Sequence, residues 1–398
     1  MIDDKHPVRV DIWHNIVWSK YKGEIFSSLH KLNNTENLNI RFYQIAETQG
    51  DRTNLSGLDL SHHRYPFELL FKGSYDKINL FNRVVKILQY TLKSDAQLIL
   101  LTGYNRIEYW AQLIALKLKG KKIAVFCDST IYDQPQTFIK GILKRIFFTF
   151  VDCVFGYGQR SRDYVLHYGA DPRHVFYRCQ AAALPHGYTQ KKALSDRLAM
   201  APSPNAPRYL FIGLISKGKN IGMLINAFSL VIKEMPEAKL IIVGDGPEHE
   251  ALLELVHSLK LEQSVIFAGR KSGADLFEEY KKATCLILPS LSEAWGLVVN
   301  EALSYGCPVI VSKRCGCVPE LVIEGKTGFV HKATDRDDLA DKMLQAPAHF
   351  SDIQQTARTC IDHINEYTPD KAAMQILYGM GVILKNTDQP PSASENAR

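Results

Sequence analysis

The sequence predicts an α/β protein made of two doubly wound domains, each a parallel sheet covered by helices. Three observations carry this expectation. The chain has 398 residues, 46% hydrophobic and 23% charged, enough for two ordinary cores. Short apolar runs alternate with longer amphipathic segments, as strands and helices do in parallel βαβ units. The alternation stops between residues 181 and 207, where "SDRLAMAPSPNAP" follows Pro185, and then resumes.

In the first half, strands are expected at "VRVDIW" (8–13), "NIRFYQI" (39–45), "AQLILL" (96–101), "KIAVFC" (122–127), "DCVFGY" (152–157) and "VFYRCQ" (175–180). Helices are expected between them over Tyr21–Leu32, Lys77–Leu92, Arg106–Leu118, Phe138–Phe150 and Arg160–Tyr168. In the second half the strands are 208–213, 238–244, 264–269, 284–289 and 308–312, alternating with helices at 221–235, 248–259, 274–282 and 297–305. The domains are therefore placed at 1–185 and 208–368, joined by a linker over 186–207. A last helix, 369–387, is free to cross back to the first domain, and the polar tail 388–398 is expected to be disordered.

Charge is uneven. Residues 1–200 hold 28 basic against 18 acidic side chains, and residues 101–200 hold 15 against 7. A basic first half suits an anionic partner such as a membrane surface or a lipid-linked phosphate. No RNA- or DNA-binding motif accompanies it, so nucleic acid is not expected. "MIDDKHPVRV" lacks the basic start and apolar core of a signal peptide, and no uncharged run reaches the length of a membrane span. The protein is expected in the cytoplasm, with peripheral contact at the inner face of the membrane as an added possibility. Cys307, Cys315 and Cys317 are the tightest cysteine group but have no fourth ligand at regular spacing, so packing is expected rather than zinc.

In open parallel sheets, ligands bind beyond the carboxyl ends of the strands, which directs attention to the loops after each strand. "GLISKGKN" follows the first strand of the second domain; Gly213 ends the strand, and Lys217 and Lys219 precede a helix, a setting suited to phosphate. "VGDGP" (243–247) reads as a tight turn, and neither loop has the spacing of a Walker A or GxGxxG motif. In "PSLSEAWGLVVNEALSYGCPVIVS" (289–312), Glu293 and Glu301 stand eight positions apart. A helical span of that length covers about 12 Å, too far for a shared proton. Gly296 lies at the turn between them, and the amides near Gly296, Leu297 and Val298 open a helix at a strand end, where an anion is favoured. An anion in the middle and hydroxyl-bearing groups on either side describe a nucleotide diphosphate sugar. "DRD" at 335–337 reads as helix-start charge.

The ordered series "LFIG", "KN…LINAF", "KLIIVGDGPE", "VIFAGR", "CLILPSLSEAWGLVVNEALSYGCPVIVS", "GCVPELV" and "GKTGFV" resembles the carboxyl-terminal half of family 4 retaining glycosyltransferases of the group 1 type. The resemblance is specific over residues 208–330 and general over 1–180. It implies a GT-B fold, two Rossmann-like domains facing each other, the first binding acceptor and the second a UDP- or GDP-linked sugar. It implies that Lys219 contacts phosphate, that Glu293 supports the transferred sugar, that Glu301 holds the ribose, and that Arg270 lies near the base. Gly213 and the amides of Gly296, Leu297 and Val298 complete the donor set. Neither a metal nor another cofactor is expected, because these groups stabilise the leaving diphosphate. Two positions depart from the family: its arginine after the strand-ending glycine is Leu214, and its histidine after a first-domain strand falls at Cys127 or Asp128, so Asp128 joins Glu293 as a catalytic candidate.

The acceptor side offers His14, Asn15, Lys22, Gly23, Tyr104 and Asn105 as candidates, from "WHN", the Lys20–Gly23 group and "GYNR". Helix 137–150, "TFIKGILKRIFFTF", admits two readings: a membrane-interface helix beside a lipid-linked acceptor, or phenylalanines that pack on the sheet. The expected activity is metal-independent transfer of a hexose to a glycan or lipid-linked acceptor in bacterial surface polysaccharide synthesis. The alternative is a catalytically inactive nucleotide-sugar or glycan-binding homologue. A GT-B epimerase fits the paired glutamates poorly.

Overall fold

The computed structural model describes residues 7–33, 38–50, 58–133 and 137–385. The chain divides into two compact units. The first holds most residues up to Ala183 together with the segment from Pro369, and the second holds Leu184–Thr368.

The first unit runs β1 (Val8–Ile16), α1 (Lys20–Asn33), β2 (Leu38–Ala46), β3 (Phe67–Leu69), α2 (Leu80–Lys93), β4 (Leu98–Leu101), α3 (Ile107–Leu118), β5 (Lys122–Cys127), α4 (Phe138–Phe150), β6 (Cys153–Gly156), α5 (Gln159–His167) and β7 (Val175–Phe176). Among the described residues its sheet has the order β3-β2-β1-β4-β5-β6-β7, and every pairing is parallel. Val10 of β1 pairs with both Ile40 and Leu98, so the strand order reverses between β1 and β4. β4 is "LILL", and it is buried on both faces. An unbroken apolar run is what a parallel strand covered on both sides requires.

The second unit runs α6 (Gln190–Met200), β8 (Arg208–Ile212), α7 (Ile221–Glu234), β9 (Lys239–Val243), α8 (His249–Ser258), β10 (Val265–Gly269), α9 (Gly273–Lys282), β11 (Cys285–Leu288), α10 (Leu297–Ser304), β12 (Val309–Ser312), α11 (Val318–Leu321), β13 (Gly328–His331), α12 (Arg336–His349) and α13 (Ile353–Ile364). Its sheet order, β10-β9-β8-β11-β12-β13, repeats the same reversal between β8 and β11. Helix α14 (Pro369–Lys385) belongs to the first unit, where it packs on α1, β6 and β7. Gly379 makes that contact possible, since a Cβ there would stand 2.6 Å from Phe155 and 2.7 Å from Phe176.

The segment expected as a linker requires correction. About half of 186–207 is helix α6, which packs on α9 and α13. Its periodicity is weak because only Ala193 and Arg197 are buried. What holds it is Arg197, whose guanidinium donates to the carbonyl oxygens of Lys281 at 2.8 Å and Tyr280 at 3.3 Å. β3, β13 and helices α11 and α13 also lie where no element was expected, whereas α12 starts where "DRD" was read as helix-start charge. β3 is only three residues long, too short for alternation to register. The tail 388–398 lies outside the described residues. No helix among the described residues is long and apolar enough to cross a membrane.

Candidate active site

In the second unit, the loops after β8, β9 and β10 are joined through their backbones. Gly213 N donates to Val243 O at 3.0 Å, Gly244 N to Gly269 O at 2.8 Å, and Ile215 N to Asp245 O at 3.0 Å. A side chain at Gly244 would place its Cβ 1.8 Å from Gly213 O, so the rim closes only with glycine there. Arg270 follows β10 and pairs with Asp245 at 3.3 Å; both are about half exposed. Leu214 is 56% exposed on the same rim.

Lys217–Lys219 form a single 3-10 turn that ends at Asn220, and α7 begins there. This turn aims Lys219 across the switch point to Glu293, with which it forms an ion pair in the loop after β11. Leu291 N donates to Gly218 O at 2.9 Å and ties the two loops together. On its other side the Glu293 loop is braced by the turn after β12: Gly316 N donates to Glu293 O at 2.9 Å, and Cys317 N to Trp295 O at 3.1 Å. Cys307, Cys315 and Cys317 are buried, and the last two sit in this brace.

Gly296 caps α10 at φ 105°, and a Cβ there would meet Leu288 at 2.8 Å. The left-handed turn opens the helix, and the first-turn amides of Leu297 and Val298 have no acceptor within it. Glu301 lies further along α10 and accepts from the Tyr280 hydroxyl at 2.5 Å; Tyr280 in turn stacks on Tyr305. Burial pushes the Glu301 carboxyl up to about 7, with the Tyr280 bond opposing the shift. The two glutamates thus differ in setting, one paired with an ammonium and the other buried under Tyr280 with its carboxyl raised. Asp335 caps α12 by accepting from Asp338 N at 3.1 Å, the helix-start role expected of "DRD".

The first unit has its own cavity of about 220 Å³ at the carboxyl ends of β1, β4 and β5, its strand-order reversal. It brings together His14, Asn15, Lys22, Tyr104, Asn105 and Asp128. Gly23 is not part of this lining. Its absent side chain instead admits the segment carrying His62 and His63, to which a Cβ would come within 2.9 Å. Lys20 pairs with Asp59 at 2.8 Å.

Lys22 is 2% exposed, and its ammonium has no hydrogen-bond partner among the described residues. The ammonium lies 4.3 Å from the centre of the Phe126 ring and 4.8 Å from that of Tyr157. Burial lowers its pKa to about 8, while Cys179 and Asp128 resist the shift. Burial also lowers His14 to about 3, so the ring is neutral. Its Nδ1 lies 3.0 Å from Ile16 O and 3.3 Å from Gln44 Oε1, and Ile16 N donates to it at 3.4 Å. Asp128 is exposed to the cavity, yet the enclosing walls raise its carboxyl, with hydrogen bonding and Lys22 pulling the other way. The Tyr104 hydroxyl bonds Ser129 at 2.9 Å and Tyr164 at 2.7 Å, and Tyr109 donates to Asn15.

Sequence reasoning missed Tyr109 and Tyr157 in this lining, and Tyr280 beside Glu301. Each is an aromatic residue in or beside a regular element, where pattern alone reads it as core.

Residues 199–348 match the family model described as glycosyl transferases group 1. The matched segment lies within the second unit. The N-acetyl-alpha-D-glucosaminyl L-malate synthase of Bacillus anthracis is 34% identical over 136 residues, covering 34% of this chain and 35% of that protein. The chain spans similarly short shares, 26% and 34%, of two further curated relatives. Among solved structures, the lipopolysaccharide outer core galactosyltransferase WaaB superposes with a TM-score of 0.70 at 15% identity, covering 94% of this chain and 99% of that one. Anabaena HepE in complex with UDP and glucose gives 0.67 at 17% identity, with the same coverages of 94% and 99%. These likenesses give the two α/β domains of this chain the GT-B fold. The Lys219–Glu293 pair and the α10 turn both fall inside the matched segment.

Proposed function

We propose that the protein is a retaining glycosyltransferase that moves a hexose from a UDP- or GDP-linked sugar to a glycan or lipid-linked saccharide, in surface polysaccharide synthesis. One observation carries the reading: the Lys219–Glu293 ion pair stands at the β8/β11 switch point in the same loop as the Gly296 turn that opens α10. When the bond from the anomeric carbon to the diphosphate breaks, negative charge grows on the leaving group and positive charge on the sugar. Lys219 and the α10 amides meet the first, and Glu293 meets the second. Glu301 accepts hydroxyls of the nucleotide ribose. Leu214 leaves the diphosphate one cation fewer than the family pattern supplies. Asp128 takes the place of the family histidine in the first domain, whose cavity holds the acceptor.

The test is a panel of UDP-, GDP- and ADP-sugars read by thermal shift and by slow donor hydrolysis. We expect one donor to raise the unfolding temperature and to be hydrolysed, and Glu293→Gln to abolish hydrolysis. Failure of every donor to bind overturns the reading. Binding with no hydrolysis or transfer, unchanged in Glu293→Gln, establishes instead an inactive nucleotide-sugar-binding homologue.

A further inference from the structure

Helix α4, "FIKGILKRIFFTF", has two apolar faces. Phe147 and Phe148 point inward, and Phe148 packs on Tyr104 at 5.0 Å. Phe138, Ile139, Ile142, Leu143, Ile146 and Phe150 point outward and are 84, 72, 46, 49, 41 and 51% exposed. At 100° per residue the outward six fall in one arc of about 140° running the length of the helix. Lys140 and Arg145 flank that arc, one at each border, and both are exposed. Neither has an ion-pair partner among the described residues, and the helix contains no acidic residue.

A helix that only covers a sheet needs one apolar face. Single exposed apolar side chains are ordinary, whereas a continuous stripe of them marks an interaction surface. Helix α3 lies alongside, its Trp110 meeting Phe147 at 5.2 Å. It presents Ile107, Ile114 and Leu118 in one line, 64, 57 and 85% exposed. The reading in which all the phenylalanines pack on the sheet is therefore corrected: two do, and Phe138 and Phe150 do not.

We propose that α4, with the α3 stripe beside it, seats the protein on an anionic lipid bilayer, with the apolar arc among the acyl chains and Lys140 and Arg145 at the phosphates. The pattern of a large apolar arc bordered by cations is that of a helix lying in the membrane interface. Charge selects this occupant. A second copy would bring Lys140 and Arg145 against the same two cations, while anionic headgroups complement both. The surrounding chain agrees, with 15 basic against 7 acidic residues over 101–200. The inference deepens the proposed function by naming where a lipid-linked acceptor is met, but its test needs neither donor nor turnover.

The full chain is sedimented with vesicles of phosphatidylglycerol and phosphatidylcholine, and with phosphatidylcholine alone. We expect binding to the mixed vesicles, at least about 10-fold weaker to the neutral ones, and weakened by salt. Lys140→Glu with Arg145→Glu is expected to lower binding by about 30-fold or more. Ile142→Ser with Ile146→Ser is expected to lower it about 10-fold or more. Circular dichroism and the unfolding temperature should not change, because all four side chains are exposed. Absence of wild-type binding, or variants that bind as wild type, overturns the proposal. So does light scattering that shows a dimer dissociated by Ile142→Ser with Ile146→Ser, which would make the face a self-interface.

Discussion

Lys219 and Glu293, 74 residues apart in the chain, form an ion pair across the ends of β8 and β11. The carboxylate occupies the ammonium that the proposed donor diphosphate would use. A bound donor therefore has to share Lys219 with Glu293. Lys219→Met should remove a ground-state contact as well as leaving-group stabilisation, raising KM and lowering kcat. Glu293→Gln keeps the shape but loses the charge facing the sugar, so its main effect should be on kcat, about 10²-fold or more. Steady-state kinetics with the donor found by the panel separates the two. Equal effects on KM alone for both variants would count against the assignment.

Glu301 is expected to make both stability and donor affinity depend on pH. Its folded-state pKa, raised to about 7 by burial, lies above its ordinary value of 4.5. Between those values the folded state holds a proton that the unfolded state releases, so stability should fall as pH rises from 4.5 through about 7. Glu301→Gln should flatten that slope, read by denaturant unfolding across the range. Donor affinity should run the opposite way. The ionised carboxylate is the stronger acceptor for ribose hydroxyls, so affinity in the wild type should drop as pH falls from 8 to 6 and stay level in Glu301→Gln.

Lys22 is a buried ammonium without a hydrogen-bond partner among the described residues, set over the faces of Phe126 and Tyr157. Its folded-state pKa of about 8 lies below the ordinary 10.5, so the unfolded state binds the extra proton between those values. Stability should therefore rise with pH from 8 to 10.5 in the wild type. Lys22→Met keeps the volume and removes the charge; it should stabilise the free protein by roughly 1–3 kcal/mol at pH 7. Acceptor-dependent transfer should decline in the same variant while donor hydrolysis persists. A destabilised Lys22→Met protein would show that the ammonium is already satisfied.

Gly379 fits α14 against Phe155 and Phe176 with no room for a side chain. Gly379→Val should cost about 1–3 kcal/mol in denaturant unfolding through overpacking. Truncation before Pro369 should cost more, because it uncovers the apolar face that Ala373, Ile376 and Met380 bury with α1 and the sheet.

Much of the fold is legible in the sequence because burial on two faces writes itself as unbroken apolar runs. "LILL" and "KLIIV" cannot be placed elsewhere than in a covered parallel sheet. The donor-side candidates are legible for a related reason. Gly213, Lys219, Glu293, Gly296 and Glu301 occupy loops and helix starts at strand ends, where backbone chemistry dictates residue type at fixed spacing. Helix α6 was not legible, because Arg197 anchors it through distant carbonyls at the end of α9 instead of through an apolar stripe. The brace from Gly316 to Glu293 was equally hidden, since "CGC" reads only as packing cysteines until its glycine is seen against Ala294 O, 1.8 Å from where a Cβ would stand.

Sequence alone thus determined the two doubly wound domains and the residue types along the strand ends, because local periodicity and turn chemistry act over a few positions. Tertiary structure alone decided the states of those residues. Glu293 is paired and Glu301 is sequestered under Tyr280. Lys22 is buried over aromatic rings, and one face of α4 is left bare to solvent. Burial and partnership depend on what the rest of the chain brings to a residue, and those partners come from segments far removed in sequence.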